Sequence, residues 1–239
     1  MLSVYLNGIV LPLIGNNWNK AMYGKIQKKQ NEDGFTLVEL LVAMAVSVIV
    51  MASIGYVYYT QQKSYVAQEE MSAMQQNLRA AMYYMEREIR MAGFDPTQSD
   101  TPGIQTASPN TMRFTLDITD DTDTGPPDGD TGDANEDITY SLADNDGDGD
   151  NDLERNGNLI AENIDALDFV YLDSNGAPTV SISNIRSVQV TIVARTGKGD
   201  PGFTNNTTYL NQQGTTIYTA PGDNKRRRRL TTTIKCRNL

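Results

Sequence analysis

An aspartate-rich run at residues 144–152 has the residue types and spacing of a calcium-binding loop. Its sequence is Asp-Asn-Asp-Gly-Asp-Gly-Asp-Asn-Asp. Carboxylates at alternate positions, with a glycine that permits a sharp turn, match the first half of an EF-hand-type loop. The predicted oxygen ligands for Ca²⁺ are Asp144, Asp146, Asp148, Asp150 and Asp152.

The run departs from an EF-hand at its end. The twelfth position is Arg155 instead of the bidentate glutamate, and Glu154 falls one residue early. Strands are predicted on both sides, where an EF-hand has helices. The run is therefore more similar to the short Asp-rich calcium loops of extracellular proteins, because a divalent cation relieves the repulsion among its carboxylates. A solvated acidic loop without a cation is the alternative.

The sequence contains few side chains that could serve in catalysis or in a disulfide. The 239 residues include no histidine and one cysteine, Cys236, so an intrachain disulfide is excluded. The sequence also contains no nucleophile motif and no phosphate-binding loop. We therefore predict that the protein is not an enzyme.

A second motif is Gly-Phe-Thr-Leu-Val-Glu at residues 34–39, which leads into the uncharged residues 40–59. About 20 apolar residues are enough to cross the hydrocarbon core of a bilayer as a helix. The sequence therefore predicts a transmembrane or filament-core helix over 35–60. Glu39 stands out, because a carboxylate at the start of such a span is costly unless it has a partner or lies at the interface.

Residues 34–43 resemble the processing site of type IV prepilins and type II secretion pseudopilins. The resemblance implies that prepilin peptidase cleaves after Gly34 and that the new N-terminal Phe35 is methylated. It also implies that Glu39 helps to dock the subunit into a growing filament, where its carboxylate can pair with a neighbour's N-terminal amine. An ordinary signal anchor with this sequence is the alternative.

Residues 1–34 are predicted to be a leader peptide, and Met22 offers a later start for a compact basic leader. Four lysines precede the span, at positions 20, 25, 28 and 29. The positive-inside rule therefore predicts a cytoplasmic N-terminus. The expected location is the inner membrane, with a single pass and a periplasmic globular domain, and then the pilus.

Residues 61–94 are predicted to continue the helix in amphipathic form. Apolar residues recur at spacings of three and four, which predicts one buried face. These residues are Met71, Met74, Leu78, Met82, Met85 and Ile89. Gly93 is the predicted end of the helix, since glycine favours the C-terminal cap and Pro96 follows.

Residues 95–239 are predicted to form a β-rich globular domain. Period-two patterns predict strands at 113–118, 138–142, 167–172, 188–194 and 230–235, and Asn175-Gly176 predicts a tight turn. A short helical turn is expected at 160–166, a flexible loop at 120–137 and a long loop at 197–224. Strands after one long helix predict an α+β fold, in which the helix packs on an antiparallel sheet. The pilin resemblance implies the same fold.

The C-terminal half resembles the larger minor pilins of the PilW type. The similar features are the Ile-Thr-Tyr-Ser-Leu strand, the acidic Asp/Gly loop, the Glu-Asn-Ile-Asp segment and the Arg-Arg-Leu-Thr-Thr-Thr run near the end.

Residues 225–229, Lys-Arg-Arg-Arg-Arg, are the dense basic run of a chain with net charge -10. Alternation along a strand predicts that Arg227 and Arg229 lie on one face, with Arg226 and Arg228 on the other. We expect pairing with the acidic loops or with a neighbouring subunit. Nucleic-acid binding is the less favoured alternative, because no aromatic residues interleave the run.

These patterns predict a minor pilin that takes part in type IV pilus assembly, in a priming or tip complex. The implied partners are prepilin peptidase, other minor and major pilins, the inner-membrane assembly platform and the membrane itself. The alternatives are a type II secretion pseudopilin and a membrane-anchored, calcium-dependent adhesin.

Overall fold

The structure is a computed structural model that describes residues 34–98, 102–122, 124–133, 135–144, 147 and 149–239. The predicted leader lies almost wholly outside the described residues. The chain divides into two compact units, with the boundary between Tyr56 and Val57. Helix α1, Leu37–Ile89, begins in the first unit and ends in the second.

In the described part of the first unit, residues 34–36 lead into α1, which is apolar and exposed through residue 56. Among the described residues, α1 is the one helix long and apolar enough to cross a membrane. None of its most apolar stretch is buried by the described part of the chain. An apolar surface this continuous requires a non-aqueous environment or a protein partner.

Among its described residues, the second unit contains the amphipathic end of α1 and ten strands. The buried residues of α1 are Met74, Leu78, Ala81, Met82, Met85 and Ile89. Five of the six predicted stripe residues are therefore buried, while Met71 is half-buried. Helix α1 ends at Ile89, four residues before the predicted end at Gly93, which has a left-handed φ of 79°.

Five strands form an antiparallel meander in sequence order. They are β1 (Ile104–Ala107), β2 (Met112–Thr115), β3 (Asp137–Ala143), β4 (Asp152–Arg155) and β5 (Asn158–Ala161). Alternate residues of the central strand, Ile138 and Tyr140, are buried in the same core as the apolar face of α1. The predicted α+β architecture is confirmed.

A second antiparallel sheet has the strand order β10-β7-β6. Its strands are β6 (Ile164–Leu172), β7 (Ser187–Arg195) and β10 (Arg227–Lys235), and a 3₁₀ turn at Ile182–Asn184 lies between β6 and β7. The central strand contributes Val188, Val190 and Ile192 to the core. The turn predicted at Asn175-Gly176 is present, since the Gly176 N–H donates to Asp173 O at 3.0 Å.

Two local predictions were wrong. Residues 160–166 contain the end of β5 and the start of β6 instead of a helical turn. Residues 197–224, expected to be a loop, include a hairpin of β8 (Thr208–Leu210) and β9 (Thr216–Thr219). Residues 160–166 pair with β4 and β7, and β8 pairs with β9. These pairings decide the conformation of both segments, because β propensity depends on the strands that are available as neighbours.

Candidate functional site

A reciprocal pair of hydrogen bonds defines the start of α1. The Thr36 N–H and hydroxyl both donate to Glu39 Oε2 at 2.9 Å, and the Glu39 N–H donates to Thr36 Oγ1 at 3.2 Å. This arrangement is a capping box, in which two side chains satisfy backbone donors that the first helical turn leaves open. Glu39 therefore has a structural partner within its own chain, which the sequence analysis did not foresee although the Thr-x-x-Glu spacing indicates it.

Gly34 and Phe35 do not pack against the described part of the chain. A Cβ atom built on Gly34 would meet no atom of the described residues within 4 Å. The side chain of Phe35 is 91% exposed. Within the described residues, no packing contact requires a glycine at position 34.

The apolar side chains of residues 37–59 are exposed on every side of the helix. Leu37, Val48 and Met51 are among them, with exposed fractions from 68% to 74%. A helix that is apolar all round is stable only where lipid or other protein covers it.

The predicted calcium ligands at 144–152 have varied surroundings. Asp146 and Asp148 lie outside the described residues. Asp144 is exposed and accepts the Gly147 N–H at 2.9 Å. Asp150 pairs with Arg195, and the buried Asp152 accepts the Asn163 N–H at 2.8 Å. Calcium binding at this run stays a prediction.

Arg195 connects that run to the basic run through a chain of ion pairs. Its guanidinium lies between Asp150 and Asp165, at 3.8 Å from Asp165 Oδ1. Asp165 also accepts from Arg227 Nε at 2.5 Å. Arg227 in turn forms two parallel hydrogen bonds to Asp223, of 2.5 and 2.6 Å, and its side chain is fully buried.

The remaining arginines of the basic run follow the predicted alternation. Arg227 and Arg229 both contact the β8–β9 hairpin, through Tyr218 Oη at 3.3 Å and Leu210 O at 2.6 Å. Arg226 pairs with Asp200 instead. The expectation of acidic partners is correct for Arg226 and Arg227, but those partners lie in β6 and in the loop at 197–224. A buried, bidentate arginine has a structural role, so Arg227 is not available to an anionic ligand.

Comparisons with known families place these features in context. Residues 29–55 match the prokaryotic N-terminal methylation motif. Residues 138–238 match the family of type IV pilus-assembly protein W. Together the two matches support the resemblance to PilW-type pilins. No curated protein sequence matches the chain.

A similar solved structure is a type IV-like pilin from Thermus thermophilus, with 15% sequence identity and a TM-score of 0.42. The match covers 69% of this chain and 95% of that one. In this chain the match to the methylation motif includes Gly34, Phe35 and the capped helix start. The motif and the long apolar helix fit a membrane-anchored pilin, and both families describe structural proteins of the pilus type.

Proposed function

We propose that this PilW-type pilin is a minor pilin that acts in a priming or tip complex during type IV pilus assembly. Prepilin peptidase cleaves it after Gly34, and Phe35 becomes the methylated N-terminus. The chain is held in the inner membrane by α1, with its N-terminus in the cytoplasm, and then moves from the assembly platform into the filament. Its partners there are other minor and major pilins.

The observation that carries this proposal is the contrast between the two parts of α1. From Met74 onward one face of the helix is buried by the chain's own sheets, whereas residues 37–59 are exposed all round. Lipid covers such a surface before assembly, and the equivalent helices of neighbouring subunits cover it afterwards. The same apolar surface therefore serves in both environments.

Glu39 is the charged group that this transfer has to accommodate. In the chain alone, its carboxylate accepts two hydrogen bonds from Thr36. Cleavage after Gly34 creates a positively charged amine at Phe35, one residue from Thr36. In a filament the amine of one subunit and the Glu39 carboxylate of another can pair, which removes two uncompensated charges from an apolar environment.

Cleavage is tested by intact mass and N-terminal sequencing of the chain, extracted from membranes with and without prepilin peptidase. We expect a methylated Phe35 N-terminus only when the peptidase is present. Gly34→Val should leave the leader attached, and Gly55→Val is the matched control, since a Cβ at either glycine meets no atom of the described residues within 4 Å. A leader retained by the unmodified chain in the presence of peptidase contradicts the proposal.

Docking is tested separately with Glu39→Gln. Glutamine can replace glutamate in a capping box, so the helix start should be preserved while the charge is lost. We expect normal cleavage but at least about tenfold less protein in sheared pili, because an uncompensated amine remains in the apolar filament. Thr36→Ser, which keeps both the cap and the charge, is the control. Equal recovery of these two variants in pili would count against a docking role.

The alternatives make different predictions about the same preparations. A type II secretion pseudopilin would also be cleaved and methylated, but its deletion would stop protein secretion and leave pili intact. A membrane-anchored adhesin would remain in the membrane fraction and be absent from sheared filaments.

A further inference from the structure

The loop between β2 and β3 gathers five carboxylates that the sequence analysis assigned to a flexible segment. They fall into two groups that share Asp130, and within each group the carboxylate oxygens lie within 4.8 Å of one another. The first group is Asp121, Asp128 and Asp130, and the second is Asp130, Asp133 and Glu136.

Glu136 distinguishes this cluster from an ordinary exposed acidic loop. The residue is fully buried. Its Oε1 accepts the N–H groups of Ile118 and Thr119 at 2.7 and 2.9 Å. Its Oε2 is buried and has no hydrogen-bond partner in the described part of the chain. A buried carboxylate oxygen without a donor is costly, so this atom is expected to face a ligand or a proton.

Asp133 has the same property in a half-buried setting. Its Oδ2 is also buried and lacks a hydrogen-bond partner among the described residues. Asp133 shares its group with the carboxylates of Asp130 and Glu136, so it lies among negative charges that a cation would compensate.

Basic side chains do not supply that cation within the described residues. None of the five carboxylates takes part in an ion pair there, and nearby Arg113 pairs with Asp137 instead. The negative charge of the cluster therefore remains uncompensated by the basic groups of the described chain.

We propose that Asp130, Asp133 and Glu136 bind a calcium ion, with Asp121 and Asp128 at its outer side. Calcium takes six to eight oxygen ligands at 2.3–2.6 Å, so oxygens on opposite sides of the ion are about 5 Å apart, in agreement with the observed spacing. Magnesium fits less well, because it prefers a near-ideal octahedron and retains its waters. Ligands for softer metals are missing, since the chain has no histidine and its one cysteine is Cys236.

This site is separate from the run at 144–152 and does not depend on the proposed role in pilus assembly. Glu136 immediately precedes β3, the central strand of the meander, and its backbone carbonyl accepts the Leu116 N–H at 3.0 Å. Binding a cation at Glu136 would therefore join the ends of the loop to the sheet and stabilise the globular unit.

The experiment is a calcium titration of the full chain in detergent, at about 0.15 M salt to screen non-specific attraction. Calorimetry gives the dissociation constant, and circular dichroism gives the melting temperature with and without calcium. The variants are Glu136→Gln and the double variant Asp130→Asn/Asp133→Asn. Asp144→Asn is the matched control, because it removes one exposed carboxylate from the other acidic run.

We expect the unmodified chain to bind calcium with a dissociation constant on the order of 10⁻⁴–10⁻³ M or tighter, and to melt at a higher temperature when calcium is present. Glu136→Gln should have two opposite effects. It should raise the melting temperature without calcium, because a neutral amide replaces an uncompensated buried carboxylate, and it should weaken calcium binding about tenfold or more. The double variant should also lose binding, and Asp144→Asn should retain it.

Three results would overturn the proposal. The first is the absence of any saturable calcium binding. The second is binding that survives Glu136→Gln and the double variant but is lost in Asp144→Asn, which would place the ion at 144–152. The third is an equal affinity for magnesium, which would indicate general charge screening.

Discussion

The guanidinium Nε of Arg155, in β4, lies 3.0 Å from Oε2 of Glu88, in the last turns of α1. Both side chains are largely buried, with exposed fractions of 12% and 15%. Tyr140 of β3 also donates its hydroxyl to Glu88 Oε2. One carboxylate thus joins the helix to two strands of the meander.

Replacement of Glu88 by alanine should lower the free energy of unfolding by about 3 kcal/mol, because it leaves Arg155 buried without its partner. The near-ultraviolet circular dichroism of the tyrosines during urea unfolding measures this change. Glu86→Ala is the control, since the Glu86–Arg90 pair is more exposed and should contribute less than about 0.5 kcal/mol. Equal losses for the two variants would show that Glu88 does not join helix and sheet in the way its contacts indicate.

Gly93→Ala should be more destabilising than an ordinary substitution at a left-handed glycine. Gly93 has a φ of 79°, and an added Cβ would lie 2.6 Å from Leu239 Cδ2 and 3.1 Å from Asn238 O. We expect a loss of about 2–3 kcal/mol in the free energy of unfolding. Gly157→Ala isolates the conformational cost of about 1 kcal/mol, because Gly157 has a φ of 75° and an open surrounding. The difference between the two variants measures the contact with the chain's last residues, and it should shrink when Leu239 is also replaced by alanine.

Local sequence patterns were sufficient to predict much of this fold. The spacing of Met74, Leu78 and Met82 predicted the buried face of α1, and the alternation in 188–194 predicted β7, because both patterns record which side chains face a core. The local pattern of residues 160–166 gave a wrong prediction. Their composition permits a helical turn, but pairing with β4 and β7 holds them in strands, and Asn163 takes a left-handed φ of 61° at the connection.

The candidate sites were harder to predict because their residues are distant in sequence. Two examples are the ion pairs Glu88–Arg155 and Asp165–Arg227. Their partners come together only once the order of the strands, and the side of the sheet on which each side chain lies, are known. The sequence is rich in acidic residues at both 120–137 and 144–152, but only the second segment has the alternation that predicts calcium ligands. Burial distinguishes the first segment, since Glu136 is fully buried directly before β3, with one carboxylate oxygen unpartnered among the described residues. Burial of a single carboxylate oxygen has no local sequence signature.

The Arg227–Asp223 pair should make stability depend on pH on the acid side. Hydrogen bonds from Arg227 hold the pKa of Asp223 below its ordinary value of 3.8. A depressed carboxyl pKa contributes stability above pH 3.8, and this contribution is lost as the pH falls through the lower pKa of the folded state. Asp223→Asn should therefore be less stable than the unmodified chain by about 2 kcal/mol at pH 7, with the gap closing below pH 3.8. Melting curves from pH 7 to pH 2 measure the gap, and the exposed Glu162→Gln is the control. A gap that stays constant with pH would contradict the role of this pair.

Cys236 should resist alkylation until the globular unit opens. Its side chain is 2% exposed, and burial raises the pKa of the thiol from its ordinary 9.0 to about 11. Because the thiolate is the reactive form, two pH units mean about 100-fold less thiolate at pH 8, before any steric protection. We expect iodoacetamide to modify the folded chain at least about 100-fold more slowly than the chain unfolded in guanidinium. A Cys236→Ala/Ser174→Cys variant moves the thiol to an exposed turn and should react at the unfolded rate in both states. Rapid labelling of the unmodified chain would instead show that the end of β10 separates from the core without global unfolding.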